Sequence, residues 1–566
     1  MVTKSILILA TWLVLGCGAS GLVEPAPAES RTASPLAGEL RVTDFGAKGD
    51  RTTDDTAAIQ RAIDTAGRTG GELRFPPGTY RVSSVGLRPG VHYLGYGAVI
   101  KRLAKQGKWV RTFDAGKSGY LYRGEKDSPP LVIEGLCFDG NRQEQDEYTK
   151  HELEQAHLLF LVADPAAPGR LRTRIVNCEF RDGVADAISI YTNVDAQISN
   201  CAARDCFRGG VTITGGHSRV QMTNVTAEGK VHASGIDVEV DGAGYDQSMK
   251  VELTINGLSL PDGDFDCGVG QDSVVLGTNI VARAPFHLCG GGTAEMRFTN
   301  CVFGVGELSA YANRLALPGR VTFDNCRFAL DGKSGKAPQS WAAVHIYWSI
   351  GDTPTTGQTV KLVNCDFSVG PGIAAADTTY AVHSQAYRPA DRNELIVSGG
   401  TIAPEFDYGV YLVQGGKAVI RDTVIRAETA LWLGSGEGHP LDVLVDGAVT
   451  EGCKVFENIV THGPQNRIEH RNTVLDEAAN VLRTQYGLAQ NRYAGGRLIL
   501  GAAPPSAKTA GLVHDVYRLK TPELGAVYEW ACTAAGAGSN AVWKPLTQIG
   551  GEPPGTVPGT GGVNQR

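Results

Sequence analysis

The sequence predicts an all-β solenoid, a single-stranded parallel β-helix of short coils, and three observations predict it. First, Cys137, Cys178, Cys201, Cys301, Cys326 and Cys365 stand in segments of one kind: IEGLCF, IVNCEF, ISNCAA, FTNCVF, FDNCRF and LVNCDF. Second, the Asn before the cysteine recurs at 177, 200, 224, 256, 279, 300, 325 and 364, with Gly399, Asp422 and Asp446 in the same place, mostly 21 to 25 residues apart. Third, each interval holds short runs of strand pattern, such as GVTITGG, RVQMTN and VTAEG, which divide one period into three strands. A fixed period of this length marks stacked repeats.

Each element then has a physical reason. Asn, Gly and Asp tolerate the left-handed backbone region, so one of them per period, between two β-patterned runs, reads as a bend. The cysteines beside the bends read as small buried hydrophobes stacked inside the coil. Gaps of 32, 39 and 35 residues exceed one coil, so those coils are expected to carry loops over one face.

Composition sets the class. The chain has 566 residues, of which 72 are Gly, 42% are hydrophobic and 7% are aromatic. That is rich in turns yet sufficient for a large core, which excludes global disorder. Its net charge is −7, and no basic block exists to neutralise phosphates, so nucleic acid is not an expected partner. Lys4 followed by the apolar run Ile6 to Gly16 reads as an export segment, too short to span a bilayer, which places the protein outside the cytoplasm. Val14-Leu15-Gly16-Cys17 resembles a bacterial lipobox, so Cys17 is the expected lipidation site and the only expected membrane attachment. Removing Cys17 from the 12 cysteines leaves an odd number, which argues against a full disulfide framework.

Upstream of the repeat, VTDFGAKGD leads through Thr53-Asp54-Asp55-Thr56 into AAIQRAIDTA, where Ile59, Ala62 and Ile63 share one helical face, and then into GGELRFPPGTYRV. This run resembles the N-terminal signature of the pectate-lyase-3 or rhamnogalacturonase/epimerase-like superfamily of right-handed parallel β-helices. The resemblance covers about residues 40 to 85 and implies that the short helix caps the open end of the solenoid. The expected layout is a signal segment at 1–17, a linker at 18–38, the β-helix at 39–455, a connecting region at 456–495, a small C-terminal β-module at 496–549 and a flexible tail at 550–566. In that module Trp530 and Trp543 read as core residues.

A parallel β-helix lets outward columns be read from sequence, because equivalent positions of successive coils stack about 4.8 Å apart. Aligning the first strand of each coil gives one column of Ser189, Thr212, Asp237, Gly270, His287, His345, His383, Tyr411 and Trp432. A second column holds Tyr191, Thr214, Glu239, Asp272, Cys289, Tyr347 and Gln385. Acids, histidines and aromatics concentrated on one face suggest a carbohydrate-binding surface. Asp237, Glu239 and Asp272 form an expected acidic cluster in which one carboxyl has a raised pKa and acts as general acid. The alternative is that these three bind Ca²⁺ to neutralise a uronate before β-elimination, with Lys230, His232, His287 or His345 as base. Lys230, His232, Tyr191, Tyr347, His383, Tyr411 and Trp432 are the expected substrate-binding residues, and Asp262, Asp264 and Asp266 read as a solvated loop.

Motifs of particular reactions are incomplete. The polygalacturonase-type Asp before Gly235 is missing, Phe265 splits Asp264 from Asp266, and no Gly-His-Gly follows. The alginate-epimerase-type Tyr-Gly-Phe-Asp-Pro-His motif is absent. Asp139-Gly140-Asn141-Arg142 resembles a turn of the wider superfamily, and the charged insertion up to His157 is expected to overhang the cleft. The reading is therefore an exported enzyme that cleaves a polysaccharide, a pectate-lyase-like lyase of a uronate glycan ahead of a polygalacturonase-like hydrolase. A non-catalytic glycan-binding adhesin is the third reading.

Overall fold

In the computed structural model the described residues are 39–548, apart from 125–128, 147–150, 230–233, 240–249, 284–285, 291–292, 305, 309–318, 331–340, 348–356, 371–372, 374–377, 386–392, 414–415, 436–439, 462–465, 481, 485–490, 507, 523–526 and 537–540. They form a parallel β-helix built from a 15-stranded sheet and a 31-stranded sheet that bends round the other faces of the coil. A coil runs from a short strand such as Val211–Ile213 into a long one such as Ser218–Glu228, which pairs in parallel with Val194–Arg204 before it and Val251–Leu260 after it.

The long strands bend at the predicted residues. Asn177, Asn200, Asn224, Asn279, Asn300, Asn325, Asn364 and Asp422 all have φ between 49° and 56°. Their side chains form a ladder: the Asn200 amide donates to Asn177 Oδ1 at 3.2 Å, Asn224 donates to Asn200 at 3.2 Å and Asn325 to Asn300 at 2.6 Å. Two coils differ from the expectation. The left-handed residues there are Gly257 and Gly447, one place after Asn256 and Asp446. Those two side chains still accept from the next rung, Asn279 and Asn472. The bend therefore needs left-handed backbone at one residue and an acceptor beside it, and a dipeptide supplies both.

Inside, Phe138 stacks on Phe180 at 4.8 Å and Phe298 on Phe323 at 5.2 Å, while Cys178, Cys201, Cys301, Cys326 and Cys365 are buried free thiols. Towards its C-terminal end the core holds a His470–Glu457 pair at 2.9 Å and an Arg497–Asp515 pair at 2.6 Å, all four side chains at most 1% exposed.

The helix Thr56–Thr69 buries Ala58, Ile59, Ala62, Ile63 and Ala66 against the first coils. Asp55 at its start accepts from the Lys48 and Gly49 amides at 2.6 and 3.1 Å, tying the preceding loop to the helix N-terminus. No helix among the described residues is long and apolar enough to cross a membrane.

The expected boundary at 455 is corrected. Val455–Thr461, Asn466–Asp476, Asn491–Gly501 and Val516–Leu519 continue the parallel pairing, and only Val527–Ala534 and Val542–Gln548 are antiparallel. The stretch read as a connecting region is thus further coils, hidden because inward Glu457 and His470 replace the usual apolar residues. Tyr517 packs edge-on against Trp530 and Trp543, and the two tryptophans, expected as core, are half-buried and pack against it. Residues 1–38, with Cys17, and the tail from 550 lie outside the described residues, as do most extra residues of the long coils.

Candidate functional site

The short strands place one residue per coil on the outer side of the 15-stranded sheet, since their neighbours Ile188 and Ile190, Val211 and Ile213, and Ile236 and Val238 point into the core. Phe160, Ser189, Thr212 and Asp237 are register partners on consecutive strands. The next rungs are Asp266, His287, the backbone position of residue 307, His345, His383, Tyr411 and Trp432. The expected column is therefore present, with one correction: Asp266 holds the rung assigned to Gly270. Asp264–Val269 is a strand and not a solvated loop, because Phe265, Cys267 and Val269 all point inward. Three consecutive inward apolar positions were the available signal, whereas the alignment on Val269 put Gln271 in the core. Asp272 follows the strand on a left-handed bend at φ 56° and is exposed, with its amide bonded to Thr293. It does not join Asp237 and Glu239, so the three-carboxylate set for acid chemistry or Ca²⁺ is not assembled. Among the described residues no group of His, Cys, Asp and Glu is arranged to hold a metal ion.

Asp237 and Glu239 do come together. Burial, then hydrogen-bonded Glu239, then Asp266 and Asp186, push the Asp237 pKa up to about 9. Glu239 accepts from Arg208 at 2.8 Å. Burial disfavours the Arg208 charge, but Asp186, Glu239 and Asp237 outweigh it and raise its pKa. Asp186, fully buried, also lies 3.0 Å from His157 Nδ1 and 3.8 Å from Arg208. A line of His157, Asp186, Arg208 and Glu239 thus runs beneath the face and fixes the carboxylate partnered with Asp237.

Beside the pair lies a cleft of about 730 Å³ lined by Trp109, Arg111, Glu154, Gln155, His157, Phe160, Ser189, Tyr191, Arg208, Thr214 and Glu239. Trp109 is 67% exposed and Tyr191 44%, so two aromatic side chains are open to a ligand. Asp237 is only 7% exposed and sits behind Glu239, which forms the wall. Glu154 and Gln155 come from the insertion expected to overhang the cleft, anchored by Lys108 to Glu154 at 3.4 Å. Tyr191 was foreseen. Trp109, Arg111, His157, Asp186 and Arg208 were not, because they come from turns, where no alternation marks the outward side.

The remaining expected residues lie elsewhere. His287 is two rungs from Asp237, the predicted separation. His345 and His383 stack on each other at 4.3 Å, and Tyr411 stacks on Trp432 at 4.2 Å. Rings stacked along the ladder cover one another's faces and offer mainly edges outward. Burial, reinforced by His383, lowers the His345 pKa to about 3, and burial lowers that of His383 to about 4, which makes both weak bases. Tyr347 pairs with Gln385 in register. Lys230 and His232 lie outside the described residues.

Comparison with known proteins gives one family match and several partial relatives. Residues 40–109 match the model of the rhamnogalacturonase A/epimerase, pectate lyase-like family. Mannuronan C5-epimerase AlgE1 of Azotobacter vinelandii is 27% identical over 259 residues, 40% of this chain and 18% of that protein. Alginate lyase 7 of the same organism is 34% identical over 120 residues, 17% of this chain and 14% of that protein. The chain thus spans less than a fifth of either relative. The solved A-module of A. vinelandii mannuronan C-5 epimerase AlgE6 aligns with 83% of this chain and 100% of its own, at 15% identity and a TM-score of 0.32. Residues 40–109 thus carry the signature of the rhamnogalacturonase A/epimerase, pectate lyase-like family at the head of a parallel β-helix.

Proposed function

We propose that this protein cleaves a uronate-containing polysaccharide by β-elimination at the cleft beside Asp237 and Glu239. The observation that carries the reading is the shared proton: a carboxyl held protonated to about pH 9 and hydrogen-bonded to a second carboxyl, itself fixed by Arg208, equips the pair both to accept and to donate. In the elimination, the pair takes the C5 proton of the uronate, the C4–O bond breaks as C4=C5 forms, and a proton returns from the pair to the departing oxygen. Arg208 holds Glu239 in position, and Trp109 and Tyr191 supply faces on which sugar rings stack. Partial similarity to proteins named mannuronan C5-epimerase and alginate lyase supports a uronate polymer as substrate.

Hydrolysis is a second reading, favoured by the adjacent-coil carboxyls of Asp237 and Asp266. A panel of acidic and neutral polysaccharides, read for unsaturated products by absorbance and for new reducing ends, separates the two. Elimination gives both signals and hydrolysis only the second. An intact polymer of altered uronate composition would support epimerisation instead, and tight binding without change would support an adhesin. A chelator arm tests for a Ca²⁺ requirement. We further propose that the protein acts outside the cytoplasm, held to a membrane through Cys17; Cys17→Ala should move it from the membrane to the soluble fraction.

A further inference from the structure

The cleft contains a cation, Arg111, with no ion-pair partner among the described residues. Its Nε is buried with no hydrogen-bond partner. Its guanidinium lies 3.6 Å from the centroid of the Phe160 ring, with Trp109 at 5.9 Å, so the side chain is mounted on a rigid strand residue. Asp114 acts on it only through space, with no ion pair between them among the described residues, and its own carboxyl is hydrogen-bonded to the Gly116 amide at 2.7 Å. A partly desolvated guanidinium with its plane set against Phe160 and an unpaired Nε is prepared to take a carboxylate bidentately.

Its place in the ladder decides which carboxylate. Phe160, beneath Arg111, is followed in register by Ser189, Thr212 and then Asp237. Three strand spacings put the Arg111 row about 14 Å from the Asp237 row along the solenoid axis. That is too far for Arg111 to hold the sugar whose C5 proton is lost, yet both rows open on one cleft.

We propose that Arg111 is the carboxylate receptor of a remote subsite, so that the substrate is an anionic glycan long enough to reach from Arg111 to Glu239. The inference rests on the polysaccharide reading above and adds charge and minimum length. Arg111 is a specificity residue and touches none of the reacting atoms.

The test is calorimetric binding of mannuronate and galacturonate oligomers of two to eight residues, and of their carboxyl-reduced neutral counterparts, to wild type, Arg111→Met and Arg111→Lys. For a charge-assisted pair, long acidic oligomers should bind Arg111→Met at least about tenfold more weakly, and Arg111→Lys in between. Dimers should bind all three alike, as should the neutral oligomers. Long acidic oligomers binding Arg111→Met as tightly as wild type would overturn the subsite, and so would an equal loss for neutral oligomers, which would mean that the cleft itself had collapsed. Wild type binding no oligomer of either kind would sink the underlying polysaccharide reading. Where oligomers are cleaved, the Met variant should raise KM on long chains with kcat unchanged.

Discussion

Asp237, buried and hydrogen-bonded to Glu239 just past the end of its strand, keeps its proton until about pH 9. Replacing it with Asn preserves shape and removes the exchangeable proton. Asp237→Asn should therefore lower cleavage about 10²- to 10⁴-fold. Steady-state rates on the best polysaccharide of the panel check this, and full activity would move the chemistry elsewhere.

The same residue sets a pH dependence of stability. Its folded pKa, about 9, lies above the ordinary value of 3.8, so its contribution is complete below about pH 4 and is lost progressively as pH rises toward 9. Melting temperatures of wild type should fall across that window relative to Asp237→Asn, which lacks the titration. Parallel pH profiles for the two proteins would contradict the burial of this carboxyl.

His345 and His383 act in the opposite direction. Their folded values, about 3 and 4, lie below the ordinary 6.5, so stability is full above pH 6.5 and is lost as pH falls below it toward those values. His345→Gln should flatten the acid arm of the melting curve between about pH 6 and 3 and leave activity at neutral pH within about twofold. A large loss of activity would restore His345 as a base.

In the Asn ladder, Asn200 combines φ 52° with an amide bond to Asn177 and acceptance from Asn224. Asn200→Ala should cost about 2–3 kcal/mol, from left-handed strain plus the lost rung. Asn200→Gly removes only the rung and should cost about 1 kcal/mol. Denaturant unfolding measures both, and equal costs would show that the bend imposes no strain.

Arg497 and Asp515 are both fully buried, and Asp515 also accepts from the Arg497 and Leu512 amides at 2.8 and 2.7 Å. Asp515→Ala leaves an unpaired buried guanidinium and should destabilise the C-terminal coils by about 3–5 kcal/mol. Hydrogen exchange should show the loss first in 491–519.

What the sequence determined is what repeats. Asn177, Asn200, Asn325 and Cys178, Cys301, Cys326 marked the coil because each satisfies the same local demand, a left-handed bend or a small buried volume, once per turn. Alternation then put Asp237, Glu239, His287, His345 and Trp432 on the outer side of one sheet, since the phase of a strand is fixed by which residues are apolar. The same logic failed where the pattern was ambiguous: Asp266 was lost to a four-residue slip that placed Gly270 in its row and Asp272 in the row of Glu239, and the coils past 455 were missed because Glu457 and His470 face inward as a pair.

Only the tertiary structure decided the cleft. Arg111, His157, Asp186 and Arg208 come from turns of different coils, where no periodicity dictates direction, and their chemistry exists only through neighbours. Asp186 is acceptable in the interior because His157 and Arg208 meet it there, and Asp237 keeps a proton because Glu239, Asp266 and Asp186 surround it. Solvation and through-space charge are properties of the assembled coils, so the columns could be drawn from sequence while the protonation states that make one stretch of them a site could not.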